Sequence, residues 1–252
     1  MWRDLRLPAL FAALIAVAVA SWLPPIAQWP AYHDFADRRV WLGVPNFLDV
    51  VSNLGFLLVA LAGLRLLLGP RRPVFADARE RRAYLAFFTA LAFVALASAW
   101  YHLAPDNGRL FWDRLGIAVV FMAWVATQIA ERVGPRVGAA LLPWLVLAGA
   151  LSVVHWILSE ARGAGDLRAY GIVHFLPMLL VPWLIWRHPP RYTRGREPLG
   201  VLALYLAAMA AEHLDKVIYA WGGWVSGHTL KHLFGALAAA VVVRMLARRQ
   251  PL

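Results

Sequence analysis

The chain has 252 residues, of which 62% are hydrophobic and only 15% charged, and its mean hydropathy is +0.61. That composition excludes a soluble globule, whose apolar share is nearer one half, and indicates a multi-pass membrane protein. The net charge of +11 reports topology and not nucleic-acid binding, because the arginines lie in short clusters between apolar runs, as loops facing an anionic membrane surface place them.

Apolar runs long enough to cross a bilayer, about 20 residues each, fall at 8–27, 47–69, 83–104, 110–131, 138–159, 169–187, 198–220 and 226–247. The first run follows Arg3 and Arg6 and is read as a retained span. The alternative is a signal peptide with a cleavage site at Ala18-Val19-Ala20. With the N-terminus inside, Lys and Arg are biased roughly twofold toward the cytoplasmic loops, which supports eight crossings with both termini inside. Pro143, Pro177 and Pro182 sit within predicted helices, where neighbouring helices can accommodate them. Short loops leave no room for a separate soluble domain. The expected fold is all-α, a polytopic helical bundle.

The chemistry concentrates in SAWYHLAPDNGRLFWD, residues 98–113. At 3.6 residues per turn, Ser98 and His102 share a helix face, and Pro105-Asp106-Asn107-Gly108 turns the chain so that Asp113 returns at similar depth. Far along the chain, GHTLKH repeats the i, i+4 spacing with His228 and His232. The topology above brings all five residues to the non-cytoplasmic side. There is no cysteine, so disulfides and thiolate ligands are excluded, and a metal must be held by His, Asp, Glu, Asn or backbone oxygen. Three neutral imidazoles from two helices are the ligand count of a catalytic zinc, with the fourth position left for water. In that setting Asp113 suits a general base and acid, and Ser98 suits a hydrogen-bond donor to a developing oxyanion. Ser98 could equally bond back to its own helix.

Other polar residues in the spans carry two readings. Asp49, Ser52 and Asn53 are either partners of the histidine ligands or interhelical hydrogen bonds. Glu212, His213 and Asp215 either orient an imidazole or pair locally with Lys216. His155 and His174 read as satisfied core histidines, and the 13 tryptophans as interfacial anchors or cavity walls.

The S-x3-H-x10-D pattern of Ser98, His102 and Asp113, the preceding NFLDVVSNLGFLL and the final H-x3-H of His228 and His232 together resemble the alkaline ceramidases. These belong to a superfamily of seven-helix membrane hydrolases that also includes the progestin and adiponectin receptors. The resemblance covers about 32–247. It implies an extra N-terminal transmembrane helix over 1–31 and a seven-helix hydrolase domain over 32–252. It also implies a zinc amidase that cleaves the N-acyl bond of ceramide-like lipids, with His102, His228 and His232 as ligands and Ser98 and Asp113 as catalytic partners. Eukaryotic members carry a calcium site in the loop before the first core helix; the matching positions here are Asp34, Asp37, Arg39 and Asn46. One ligand position has thus become cationic. The preferred reading is a polar loop with Asp–Arg pairing, which leaves Asp34, Asp37 and Asn46 as the residues that would hold calcium.

The sequence is therefore read as a lipid amidase of a bacterial inner membrane, its site facing the non-cytoplasmic side and its substrate and bilayer both lipid. Two other classes are kept: a receptor on the same scaffold with structural zinc, and a transporter, which would need polar groups stepping across the bilayer. A hydrolase of another lipid amide is a variant of the first reading.

Overall fold

The computed structural model describes residues 22–70 and 73–252. The predicted span at 8–27 and the Ala18-Val19-Ala20 signal lie, but for the last few residues of the run, outside them. After a 3-10 turn at Pro30–His33 come helices α1 (Phe47–Val51), α2 (Leu54–Leu68), α3 (Glu80–Leu103), α4 (Asn107–Arg132), α5 (Pro135–Ala161), α6 (Arg168–Arg187), α7 (Glu197–His213), α8 (Asp215–Gly222) and α9 (Gly227–Arg248). No strand occurs among the described residues, only two isolated bridges, Trp41 with Val44 and Tyr192 with Pro251.

Among the described residues, six helical segments are long and apolar enough to cross a membrane, α1 and α2 together forming one of 22 residues. The protein is a multi-pass helical membrane protein. Leu58, Leu96, Leu151 and Leu179 are exposed in the middle of their helices, as lipid-facing positions are. Trp100, Trp112, Trp221 and Trp224 are exposed at one end of the bundle and Trp186 at the other, the positions of an interfacial belt. Pro143, Pro177 and Pro182 all lie inside continuous helices.

The run at 198–220 is not one helix. It divides at Leu214 into α7, of 17 residues, and α8, of 8. Asp215 explains the division, because its carboxylate accepts the backbone N–H groups of Ala36 and His228 at 2.9 and 2.8 Å and so binds this point of the chain to two other segments.

Sequence neighbours pack as antiparallel partners: α2 on α3, α3 on α4 and α4 on α5, while α9 closes the bundle against α7 and α2. Gly63 lets the Phe88 ring lie where a Cβ would stand, 2.4 Å away, so α2 and α3 approach closely. α6 meets α7 over only a short stretch, and the space between them belongs to a large cavity.

At the end of the bundle where α3 begins, charge is buried in a network. Arg249 is 2% exposed and bonds to Glu131, which also accepts from Tyr84 Oη at 2.6 Å. Glu80 accepts from Tyr192 Oη at 2.5 Å, and the Arg249 guanidinium lies 4.1 Å from the Tyr192 ring centre. Removing one member of such a network leaves the others charged and uncompensated. Arg249→Ala is expected to lower stability by about 3–5 kcal/mol, read by denaturant titration in detergent against wild type.

The cysteine-free chain permits a direct test of the topology. Ala164→Cys, in the exposed loop before α6, is expected to react with an impermeant thiol reagent on intact cells. Arg196→Cys, in the exposed loop before α7, should react only after permeabilisation. Equal labelling of both from outside would contradict the crossing assigned to α6.

Candidate metal centre

His102 lies in the last turn of α3, and His228 and His232 in the first two turns of α9. All three are buried, at 0, 2 and 2% exposure, and one ligand nitrogen from each comes within 4.8 Å of the others. The rings meet edge to face at centroid distances of 4.7, 5.0 and 4.8 Å. Among the described residues this is the group of side chains able to hold a metal ion.

The surroundings set the ring orientations. Ser52 Oγ bonds the Asp49 carbonyl at 3.2 Å and His232 Nδ1 at 2.7 Å. A hydroxyl has one proton, so with that proton on the carbonyl the serine oxygen accepts from His232 Nδ1–H, and Nε2 is left with its lone pair toward the other imidazoles. Asn53 Nδ2 lies 3.5 Å from the same Nδ1. His228 Nε2 faces His102 Nε2 at 3.1 Å, and His102 Nδ1 has no hydrogen-bond partner. Buried imidazole nitrogens converging without an acceptor between them suit a cation better than one another. The donor set is all nitrogen, which fits zinc and fits neither calcium nor magnesium.

What brings α9 to this point is a set of bonds at its N-terminus. Ser226 caps the helix, accepting from Thr229 N at 2.9 Å, and both hydroxyls donate to Asp49 Oδ1, at 2.9 and 2.6 Å. Two carboxylates at a helix N-terminus also oppose its positive dipole: Asp49, and Asp215 on the His228 amide. Gly227 has no room for a side chain, since a Cβ would stand 2.0 Å from the Ala211 carbonyl oxygen. Phe35 roofs the cluster, its ring 4.7 Å from His102 and 4.4 Å from His228.

Ser98 and Asp113, 2 and 6% exposed, line one cavity together with His232. Ser98 is within hydrogen-bonding reach of the Asp113 carboxylate, whose Oδ1 has no partner. The cavity encloses about 1270 Å³. Its walls below these residues are apolar, from Leu91 and Phe87 on α3, Trp124 on α4, Met178 on α6 and Ala239 on α9.

The proposed calcium ligands are otherwise engaged. Asp34 pairs with Arg38 and, at 2.6 Å, with Lys216. Burial of Asp37 opposes its ionisation, but Arg39, bonding at 2.6 and 2.8 Å, holds the carboxyl below its ordinary range. Asn46 takes a left-handed conformation, φ 47°, and spends its amide nitrogen on the His102 carbonyl at 2.8 Å. The loop is the Asp–Arg paired arrangement, and Asn46 closes the end of α3.

The local pairing of Glu212 or Asp215 with Lys216, one of the two readings of that segment, is replaced by distant pairings. Glu212 pairs with Lys231 at 2.6 Å, and Lys216 with Asp34, because the break at Leu214 takes Lys216 off the α7 face. Glu212 Oε1 also lies 3.9 Å from His228 Nδ1. His155 is half exposed and 3.3 Å from Asp166. His174 is not satisfied as a core histidine: it faces the cavity among Phe121, Tyr170 and Tyr205, and its Nδ1 has no partner. Arg114 and Lys231, both on the cavity wall, were not singled out by sequence reasoning. A cation within a spanning run is the signal that would have found them.

No protein-family model matches this sequence, and no curated protein matches it. The site therefore rests on the geometry of this chain.

Ser52→Ala is expected to weaken metal affinity about tenfold to hundredfold, as loss of a bond that orients a ligand does, read by competition with a chelator. Gly227→Ala should cost more, because the α9 N-terminus must move to admit the methyl group. Unchanged affinity in both would show that the α9 N-terminus does not set the site.

Proposed function

We propose that the protein is a zinc-dependent membrane amidase, hydrolysing the N-acyl bond of a ceramide-like lipid to a fatty acid and an amine. The observation that carries this reading is the convergence of His102, His228 and His232 beside a large apolar cavity whose wall also holds Ser98 and Asp113. His102, His228 and His232 would hold the ion. Zinc held there supplies Lewis acidity, which polarises an amide carbonyl and makes water nucleophilic near neutral pH.

The chain's own residues divide the remaining work. Asp113, with one carboxylate oxygen unpartnered, accepts a proton from the attacking water and returns it to the leaving nitrogen, so that the amine departs neutral. Once Asp113 is protonated it no longer takes the single Ser98 proton, and Ser98 donates a hydrogen bond to the carbonyl oxygen as negative charge builds on it. Below them the cavity runs down α3 from Ser98 to Phe87, eleven residues or about 16 Å of helix rise, and its walls hold an acyl chain out of water. Phe35 and the loop bonded through His33 to Tyr101 Oη at 2.8 Å and Asn107 at 3.0 Å cover the site from the membrane surface. The positive-inside bias supports a non-cytoplasmic position for this face, in a bacterial inner membrane.

Detergent-purified protein is expected to carry about one zinc per chain and to release fatty acid from a fluorescent ceramide. His228→Ala should lose both. Asp113→Asn should keep the metal and lose about 10²- to 10⁴-fold in rate, the usual contribution of a positioned acid–base group. Zinc retained without turnover of any lipid amide would instead favour a receptor-like role with structural metal, and absence of zinc after reconstitution would overturn the metal reading.

A further inference from the structure

Arg114 follows Asp113 on α4 and is 5% exposed. Its guanidinium lies 4.2 Å from the Trp156 ring centre and 5.1 Å from those of Tyr32 and Tyr170. It lines the cavity, and its Nη1 is buried without a hydrogen-bond partner. The other two buried arginines among the described residues are answered: Arg249 by Glu131, and Arg132 by the carbonyls of His188, at 3.0 Å, and Gly195. Lys231, across the cavity, is answered by Glu212. Asp113, next in the chain, acts on Arg114 only at longer range.

Cation–π contacts recover only part of the hydration that a guanidinium gives up on burial. An anion in the cavity would supply the rest, and the planar fork of arginine matches the oxygens of a carboxylate or phosphate. Arg114 stands seven residues into α4, about 10 Å below its start, on the head-group side of the apolar cavity. Burial, and then the Glu212 carboxylate, push the Tyr32 phenol above its ordinary value, so the ring that lies against the guanidinium keeps its hydroxyl proton.

We infer that Arg114, caged by Tyr32, Trp156 and Tyr170, is the subsite for an anionic head group, so that the lipid bound here is an N-acyl lipid bearing a carboxylate or phosphate. The inference rests on the amidase reading for the direction in which the lipid lies, acyl chain inward and head group outward.

The test compares ligands that share a palmitoyl amide and differ in charge. Full-length protein, purified in detergent and stripped of metal so that nothing turns over, is titrated with N-palmitoylglycine, N-palmitoylethanolamine and palmitate in competition with radiolabelled N-palmitoylglycine. The carboxylate amide is expected to bind about tenfold to hundredfold tighter than the neutral one, the range of a buried charge-assisted hydrogen bond. Arg114→Gln should bring that ratio close to one, and Arg114→Lys, which keeps the charge and loses the fork, should retain part of it. Equal binding of the two amides by wild type, or an unchanged ratio in Arg114→Gln, would overturn the subsite. Palmitate binding as tightly as N-palmitoylglycine, with the same dependence on Arg114, would overturn the head-group assignment in favour of product carboxylate. Restoring zinc and following both amides separates the two claims: an Arg114-dependent preference without turnover keeps the subsite and removes the amidase, whereas turnover without preference does the reverse.

Discussion

The site depends on how the N-terminus of α9 is held. A helix start offers unpaired N–H groups and a positive dipole, and here two carboxylates from distant segments answer it. Asp49 takes the hydroxyls of Ser226 and Thr229, and Asp215 takes the amide of His228. Because Ser52 caps the C-terminus of the helix that carries Asp49, the bonds that place α9 and the bond that orients His232 come from one turn. Because Asp215 also binds Ala36, the loop carrying Phe35 is tied to the same point. Gly227 makes the approach sterically possible. Two of the three imidazoles are thus positioned before any ion is considered, and the third arrives at the end of α3, closed by Asn46.

The two ends of the bundle use charge differently. At the end where α3 begins, Arg249, Glu131, Glu80, Tyr84 and Tyr192 bond to one another, with Arg249 Nη2 and Glu80 Oε1 left outside these bonds, and no large cavity adjoins them. At the histidine end the polar groups are left partly unsatisfied, with Asp113 Oδ1, His102 Nδ1, His174 Nδ1 and Arg114 Nη1 all buried without partners. Buried polar groups are nearly always paired in folded proteins. Asp113, Arg114 and His174 line one large cavity, the pattern of a place that binds something, while the end without such a cavity has the character of a structural lock.

The cavity lies where contact between two long helices adjacent in sequence is sparse, between α6 and α7, and α6 carries two prolines within its length. Its apolar depth and polar rim match an amphipathic ligand whose chain occupies the bilayer core and whose head group reaches the interface. A ligand of that kind can enter sideways from the membrane, which the short loops at the surface would not allow a large soluble molecule to do.

Much of this was legible in the sequence. Apolar runs of bilayer length report spans because an unsatisfied backbone in lipid leaves few alternatives to helix. Polar residues at fixed helical spacing in such runs are costly enough to report function, and Ser98, His102, Asp113, His228 and His232 do gather at one end. Tertiary structure decided the pairings. Glu212 meets Lys231 and not Lys216, Asp34 meets Lys216, and Asp215 breaks the run at 198–220 to hold α9. Arg114 acquires its aromatic cage from the Pro30–His33 turn, α5 and α6. The physical reason is common to all of them. Helical periodicity ranks partners within a few residues, whereas a buried charge is stabilised by whatever the fold brings within a few ångströms, and only the packing of the helices determines which residue that is.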